Sequence, residues 1–200
     1  MDDQTDDYES APRYSFRPSM MGAPREFALR NEGLHWRIGR HSATIPYRSI
    51  TALRLSYRPI SMQSHRFLAE IWAPGMPKLM LASTSCKNLV EHERQDKAYL
   101  DFLTALHERI VAAGGTPLFI RGMPRYLYGP AIAVFVLITI GLLVLFARGL
   151  AEGAFGGVAF IAAFFALFLW QIGSIFRRNL PGSYLPQALP QAVIPVAKAP

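Results

Sequence analysis

Two uncharged apolar stretches constrain this chain more than anything else in it. Residues 127–147, LYGPAIAVFVLITIGLLVLFA, run for 21 residues without a charge, and residues 154–175, AFGGVAFIAAFFALFLWQIGSI, for 22. As helices rising 1.5 Å per residue, each would extend roughly 30 Å, the thickness of the hydrocarbon core of a bilayer. A helix buried in a soluble core seldom runs so far without a charged side chain reaching water. The pair therefore predicts a transmembrane hairpin, with spans at residues 127–147 and 154–176 and a short loop at 148–153.

The distribution of charge fixes how such a hairpin would sit. The 200-residue chain has a formal net charge of +7, a value that would first bring nucleic acid to mind. Residues 1–25 hold five acids and three arginines, while residues 26–120 hold twelve Lys/Arg against eight Asp/Glu. Most of the remaining excess flanks the spans, as Arg121, Arg125, Arg177 and Arg178, with Arg148 and Glu152 in the connecting loop. Basic residues beside a membrane span are a topology signal before they are a binding signal, and cytoplasmic flanks collect them. Both termini are expected in the cytoplasm, and no nucleic-acid partner is expected. The N-terminus has no basic segment leading into an apolar one, so no secretory signal peptide is expected. Thr139, Gln171 and Ser174 are the polar side chains of the spans, and no ionisable group lies mid-membrane, which argues against a proton relay or ion path. Cys86 is the single cysteine, which excludes an intrachain disulfide and a cysteine-based metal cluster.

Ahead of the hairpin the pattern is of short strands. Residues 1–25 mix acids, prolines and small residues without period and read as a disordered acidic tail. From Glu26 onward apolar residues alternate: Phe27 and Leu29; Leu34, Trp36 and Ile38; Leu53 and Leu55; Phe67, Ala69 and Ile71, with Arg66 and Glu70 facing outward. Period-two alternation marks half-buried strands. Asn31-Glu32-Gly33 and Pro74-Gly75-Met76-Pro77 read as turns, and Pro46 confines its strand to an edge or interrupts it. Arg58–His65 reads as a polar loop, and STSCKNLVEHERQ has no clear period. Asp96 is placed as an N-cap. The stripe Tyr99, Leu103, Leu106 and Ile110, with Phe102 and Ala113 alongside, has helical spacing, and Gly114-Gly115 ends it. Residues 116–126 read as a linker, with Pro124 and Pro130 suiting a helix start. After the second span, residues 177–200 form a proline-rich tail, expected to be flexible or surface-lying, although Tyr184, Leu185, Leu189 and Ile194 are apolar enough to dock.

Short strands followed by one amphipathic helix predict a small α+β domain over residues 26–115, an antiparallel and strongly bent sheet whose open end the helix caps. The residues Gly33-Leu34, Trp36-Arg37, Ile45-Pro46-Tyr47 and Ile50, in that order within the strands and ahead of the helix AYLDFLTALHERI, resemble the start of the bacterial pleckstrin-homology-like (PH-like) domains. The resemblance covers roughly residues 26–113. It implies a PH-like β-barrel or sandwich capped by its C-terminal helix, in a bacterial inner-membrane protein.

Chemistry-bearing motifs are sparse. The five histidines (35, 41, 65, 92 and 107) form neither HxxxH nor HExxH, and His92-Glu93 and His107-Glu108 read as solvated surface pairs. Gly114-Gly115 lacks the Lys-Ser/Thr of a phosphate-cradling loop. No catalytic residue, cofactor or metal is expected. Between residues 30 and 66, however, seven arginines stand against one acid, Glu32. Arg37, Arg40, Arg48, Arg54 and Arg58 are the candidate basic face. Either they solubilise outer strand faces, or they meet anionic lipid headgroups, each well-placed base being worth about 1 kcal/mol near an anionic leaflet. The expectation is a non-enzymatic module that binds a protein partner or anionic headgroups at the inner-membrane surface. The alternative is a small accessory subunit of a larger membrane complex.

Overall fold

The computed structural model describes residues 11–60, 65–87 and 92–195. It is an α+β structure divided into two compact units, one comprising Met1–Arg121 with Gly182–Pro200 and the other Gly122–Pro181.

The first unit is built on two sheets. One is an antiparallel meander of β1 (Arg13–Phe16), β2 (Arg25–Leu29), β3 (Leu34–Ile38) and β4 (His41–Ile45). The other contains β5 (Ala52–Tyr57), β6 (Phe67–Trp72) and β7 (Leu79–Ala82) in antiparallel order, with β10 (Leu118–Arg121) added parallel to β5 and β11 (Gly182–Ser183) antiparallel to β10. A separate hairpin, β8 (Thr84–Cys86) with β9 (His92–Arg94), occupies the stretch without clear period; residues 88–91 lie outside the described residues. The expected alternation places the apolar residues inward, although β6 is buried on both faces and Ile38 is half-buried. Phe27, Leu29, Leu34, Trp36, Leu53, Leu55, Phe67, Ala69 and Ile71 are all buried. The sheets are antiparallel apart from the β10–β5 pair, and they do not form a closed barrel.

Helix α1 (Asp96–Ala112) buries Tyr99, Phe102, Leu103, Leu106 and Ile110, the stripe read from spacing. It packs on β1, where Tyr14 meets Tyr99 and Phe102 at ring separations of 5.9 and 5.7 Å. Its C-terminus is a Schellman motif: Gly114 takes φ +73, its N–H donates to Val111 O, and Gly115 N–H donates to Ile110 O. At the other end Gln95, not Asp96, is the N-cap residue. Asp96 is the first helical residue, and Arg94 binds its carboxylate; an acid in the first turn still suits the helix dipole.

Gly33 follows the two-residue loop Asn31–Glu32, across which Arg30 and Gly33 exchange backbone hydrogen bonds of 3.0 and 3.3 Å. Its lack of a side chain matters for space: a Cβ there would lie 2.2 Å from Ile45 O on the neighbouring strand β4.

Four further expectations about the first unit need correction. First, residues 13–16 of the supposed disordered tail form β1, with Tyr14 and Phe16 buried and Tyr14 Oη donating to Ala82 O on the other sheet at 2.5 Å; residues 1–10 lie outside the described residues. Burial of two aromatics, at about 1.5–3 kcal/mol each, outweighs the polar composition around them. Second, residues 118–121 of the supposed linker are β10, an integral strand. Third, the proline-rich tail returns to the first unit through β11 and a 3-10 turn, Gln191–Val193, beside β5, with Val193 and Ile194 buried. Residues 196–200 lie outside the described residues. Fourth, Glu70 lies on the outward face of β6 as expected but is 2% exposed.

The second unit is a pair of long helices, α2 (Arg125–Ala151) and α3 (Phe155–Arg178), each long and apolar enough to cross a membrane. Tyr128 and Phe135 meet Phe176 at 5.6 and 5.3 Å, and Phe135 stacks on Phe168 at 5.2 Å. None of the side chains of α2 is buried, and of α3 only Val158 is. An apolar exterior of this extent marks a surface that meets a membrane or other apolar elements. The few polar groups return to the backbone, Thr139 Oγ1 donating to Phe135 O and Ser174 Oγ to Gln171 O, both at 2.8 Å. Pro124 is the N-cap as expected, whereas Pro130 lies inside α2, where membrane helices tolerate it.

Candidate functional site

The five arginines of the expected basic face have separate surroundings. Arg37 stands opposite Glu26 in the β2–β3 ladder, and its Nε and Nη2 both donate to Glu26 Oε2. Arg40 is exposed in the β3–β4 turn beside Gly39. Arg48 donates from Nε to Ala113 O, a cation placed on the negative end of α1. Arg54 stacks on Trp72, its guanidinium carbon 5.0 Å from the ring centre, with Nη1 3.6 Å from the buried carboxylate of Glu70. Lys78 Nζ holds the other oxygen of Glu70 at 2.8 Å. Three of the five charges are therefore taken up by the fold's own acceptors.

The arginines flanking the hairpin keep to its ends. Arg121 closes β10, Arg125 opens α2, and Arg177 and Arg178 lie in the last turn of α3. Arg121 is paired in register with Gly182.

Two clefts lined by described residues of the first unit bear on a candidate site. The larger, about 540 Å³, lies over β1–β3 and is lined in part by Arg13, Glu26, Arg30, His35 and Arg37. Its charges are mixed, with Arg37 on Glu26 and Arg30 3.8 Å from Glu32. His35, whose Nδ1 is 3.2 Å from Thr44 Oγ1, titrates below the ordinary histidine value because partial burial, then Arg30 and Arg37, disfavour its cation.

The smaller cleft, about 120 Å³, is different in kind. Arg25, Arg58 and Arg66 line it together with Phe16, Pro18, Leu68 and Met80, and no carboxylate is among its described lining residues. The β5–β6 hairpin brings two of these arginines together: Tyr57 pairs with Phe67, and just beyond them Arg58 N–H donates to Arg66 O at 2.8 Å. Arg25, at the start of β2, reaches across from the other sheet, donating from Nη1 to Met80 O at 3.4 Å over the Phe16 ring. The Nε of Arg66 is buried with no hydrogen-bond partner. Burial first, and Arg58 second, lower the pKa of Arg66. Arg58 alone of this trio belonged to the expected face. The missed signal is the symmetric placing of Arg58 and Arg66 about one polar loop, since a hairpin makes such positions neighbours.

His107 also departs from expectation. It is 2% exposed, not a solvated surface residue. Nδ1 must carry its proton, because it lies 2.7 Å from Leu103 O, which can only accept. Nε2 then accepts from the hydroxyl of Tyr184 at 2.9 Å, and the Tyr184 ring also packs on Phe119. Burial lowers the His107 pKa and raises that of Tyr184, so both stay neutral near pH 7. The pair is a clasp between α1 and the returning tail. Among the described residues no group of His, Cys, Asp and Glu could hold a metal ion.

No protein-family model, curated protein or solved structure matches this chain. Its role is therefore read from its own geometry.

Proposed function

We propose that this chain is a non-enzymatic docking module of the bacterial inner membrane. Its PH-like soluble unit is held at the cytoplasmic surface by the helical hairpin and meets a protein partner or anionic lipid headgroups there. The observation that carries the reading is the ladder at the roots of the hairpin. β10 ends four residues before α2, β11 begins four residues after α3, and Arg121 and Gly182 are partners in one sheet. Strands that pair must share a compartment, so a membrane-crossing hairpin has both flanks on one side. The arginines at those flanks favour the cytoplasm. The PH-like reading draws support from the order of a four-stranded meander, a three-stranded meander and then a helix.

The test is a reporter active only outside the cytoplasm. Fused to either terminus it is expected to be silent, and inserted between Glu152 and Gly153 it is expected to be active. Activity at either terminus overturns the topology. A stoichiometric membrane partner that stays bound whatever the charges on the soluble unit would move the docking role to the spans, as in an accessory subunit.

A further inference from the structure

The geometry points to the Arg25–Arg58–Arg66 cleft as a binding site for a phosphate group. This deepens the docking proposal by naming the chemistry the soluble unit recognises, and it rests on that reading for where the ligand would be met.

Three observations converge. Three arginines, Arg25 on one sheet and Arg58 and Arg66 at the turn of the β5–β6 hairpin of the other, line one concavity, with no carboxylate among its described lining residues. Two partly buried arginines elsewhere in this unit have an acid within 4 Å, Arg54 with Glu70 and Arg30 with Glu32. Here none of the described lining residues is an acid, and the Nε of Arg66 is buried without an acceptor. That atom has almost no accessible surface, so an anion in the cleft would meet the terminal nitrogens of Arg66 and not its Nε. Guanidinium also matches phosphate oxygens two at a time, which an ammonium cannot do.

Size and lining narrow the ligand. A volume of about 120 Å³ holds roughly four waters at about 30 Å³ each, enough for a phosphate group but well below the ~300 Å³ of pockets that enclose drug-sized ligands. A nucleotide would therefore protrude almost entirely. Phe16, Pro18, Leu68 and Met80 give the remaining wall an apolar character, suited to a phosphate with a short apolar substituent. Two sources share this chemistry, a phospholipid headgroup and free phosphate.

The experiment uses the full chain in a neutral detergent. Inorganic phosphate and a soluble short-chain phosphatidic acid are titrated separately and followed by calorimetry, with sulfate-free buffer and the zwitterionic short-chain phosphatidylcholine as reference. Arg58→Gln and Arg66→Lys are expected to weaken phosphate binding roughly tenfold or more each, the loss typical of a hydrogen bond to a charged group. Arg66→Lys keeps the charge, so its effect separates the guanidinium fork from simple electrostatics. Arg40→Gln, exposed in a turn outside the cleft, is expected to leave binding unchanged. Tighter binding of the short-chain lipid than of inorganic phosphate assigns the site to a headgroup; equal binding assigns it to free phosphate. Absence of binding by both, or binding that survives both cleft variants, overturns the assignment. If the cleft fails while both termini remain on one side, the anchoring proposal stands without it. If the termini fall on opposite sides while phosphate binds, the reverse holds.

Discussion

Arg54 was read from sequence as part of a binding face, and the structure assigns it a different task that can be measured. Glu70 is 2% exposed, with Arg54 Nη1 3.6 Å from one oxygen and Lys78 Nζ 2.8 Å from the other. The Arg54 side chain is 19% exposed and that of Lys78 is 43%, so Arg54 is the less screened cation. Removing one partner of a buried pair costs about 3–5 kcal/mol when the remaining charge is stranded. Lys78 would still hold Glu70, so Arg54→Ala is expected to cost roughly 2–3 kcal/mol, including the lost stacking on Trp72. Lys78→Ala, removing the better solvated cation, is expected to cost about 1 kcal/mol. The double variant Arg54→Met with Glu70→Met removes the buried charge altogether and should lie within about 1 kcal/mol of the parent. Hydrogen exchange of peptides covering β5 and β6, read by mass spectrometry on the full chain in detergent, provides the assay. For Arg54→Ala, protection there should fall roughly thirty- to a hundred-and-fortyfold. Unchanged protection, or a double variant as damaged as the single one, refutes the account of Arg54 as the counter-charge of Glu70.

Two further expectations follow from buried groups. Tyr184→Phe keeps the ring against Phe119 but leaves His107 Nε2 without its donor, at a cost of about 1–2 kcal/mol, to be checked by exchange of the α1 amides. Because burial holds the native pKa of His107 below its ordinary value of about 6.5, the unfolded chain binds more protons below that pH. The contribution of His107 to stability is thus complete above about pH 6.5 and is lost as pH falls toward the depressed native pKa; His107→Gln should flatten that part of a stability–pH curve, and an unchanged slope would remove His107 as its source. Gly33→Ala places a Cβ 2.2 Å from Ile45 O, so β3 and β4 must separate locally. We expect a loss of at least 2 kcal/mol, seen as a drop in the melting temperature of the purified chain, and a variant that melts with the parent would show that the β3–β4 contact yields cheaply.

How much of this was legible depended on how local the determining contacts are. The α1 stripe and the alternation of β2, β3, β5 and β6 rest on residues a few positions apart, so their periods appear in the sequence. β1 has the same alternation in Tyr14 and Phe16, but four residues amid acids and prolines carry too little pattern to outweigh composition. β10 pairs in parallel with β5, Leu118 with Ala52, and no local signal announces a partner that far back. β11 is two residues long and has no period at all. The arginine trio was obscured for a related reason. Density along the chain drew attention to residues 30–66, whereas convergence is set by register, which brings Arg25 in from outside that window and sends Arg37, Arg48 and Arg54 to other partners. His107 was misjudged because its neighbour Glu108 made the pair look solvated, although position 107 falls on the stripe between Leu103 and Ile110.

On the proposed topology, the return of the tail gives the hairpin a role beyond anchoring. A two-residue strand cannot hold itself in a sheet; β11 is kept there by the Tyr184–His107 clasp and by burial of Val193 and Ile194 beside β5. Tyr184, Val193 and Ile194 all follow α3 in the chain, whereas the surfaces that receive them precede α2. On the proposed topology these residues reach the sheet only when the second span has brought the chain back to the side where β10 already lies. A hairpin that failed to return would leave the edge of β10 unpaired, the Nε2 of His107 without a donor and the surface beside β5 uncovered. On that topology, completion of the first unit is tied to correct insertion, and a misinserted chain would carry an open, pairing-prone sheet edge. The order of the proline-rich segment comes from the surface that receives it, where Val193 and Ile194 are buried.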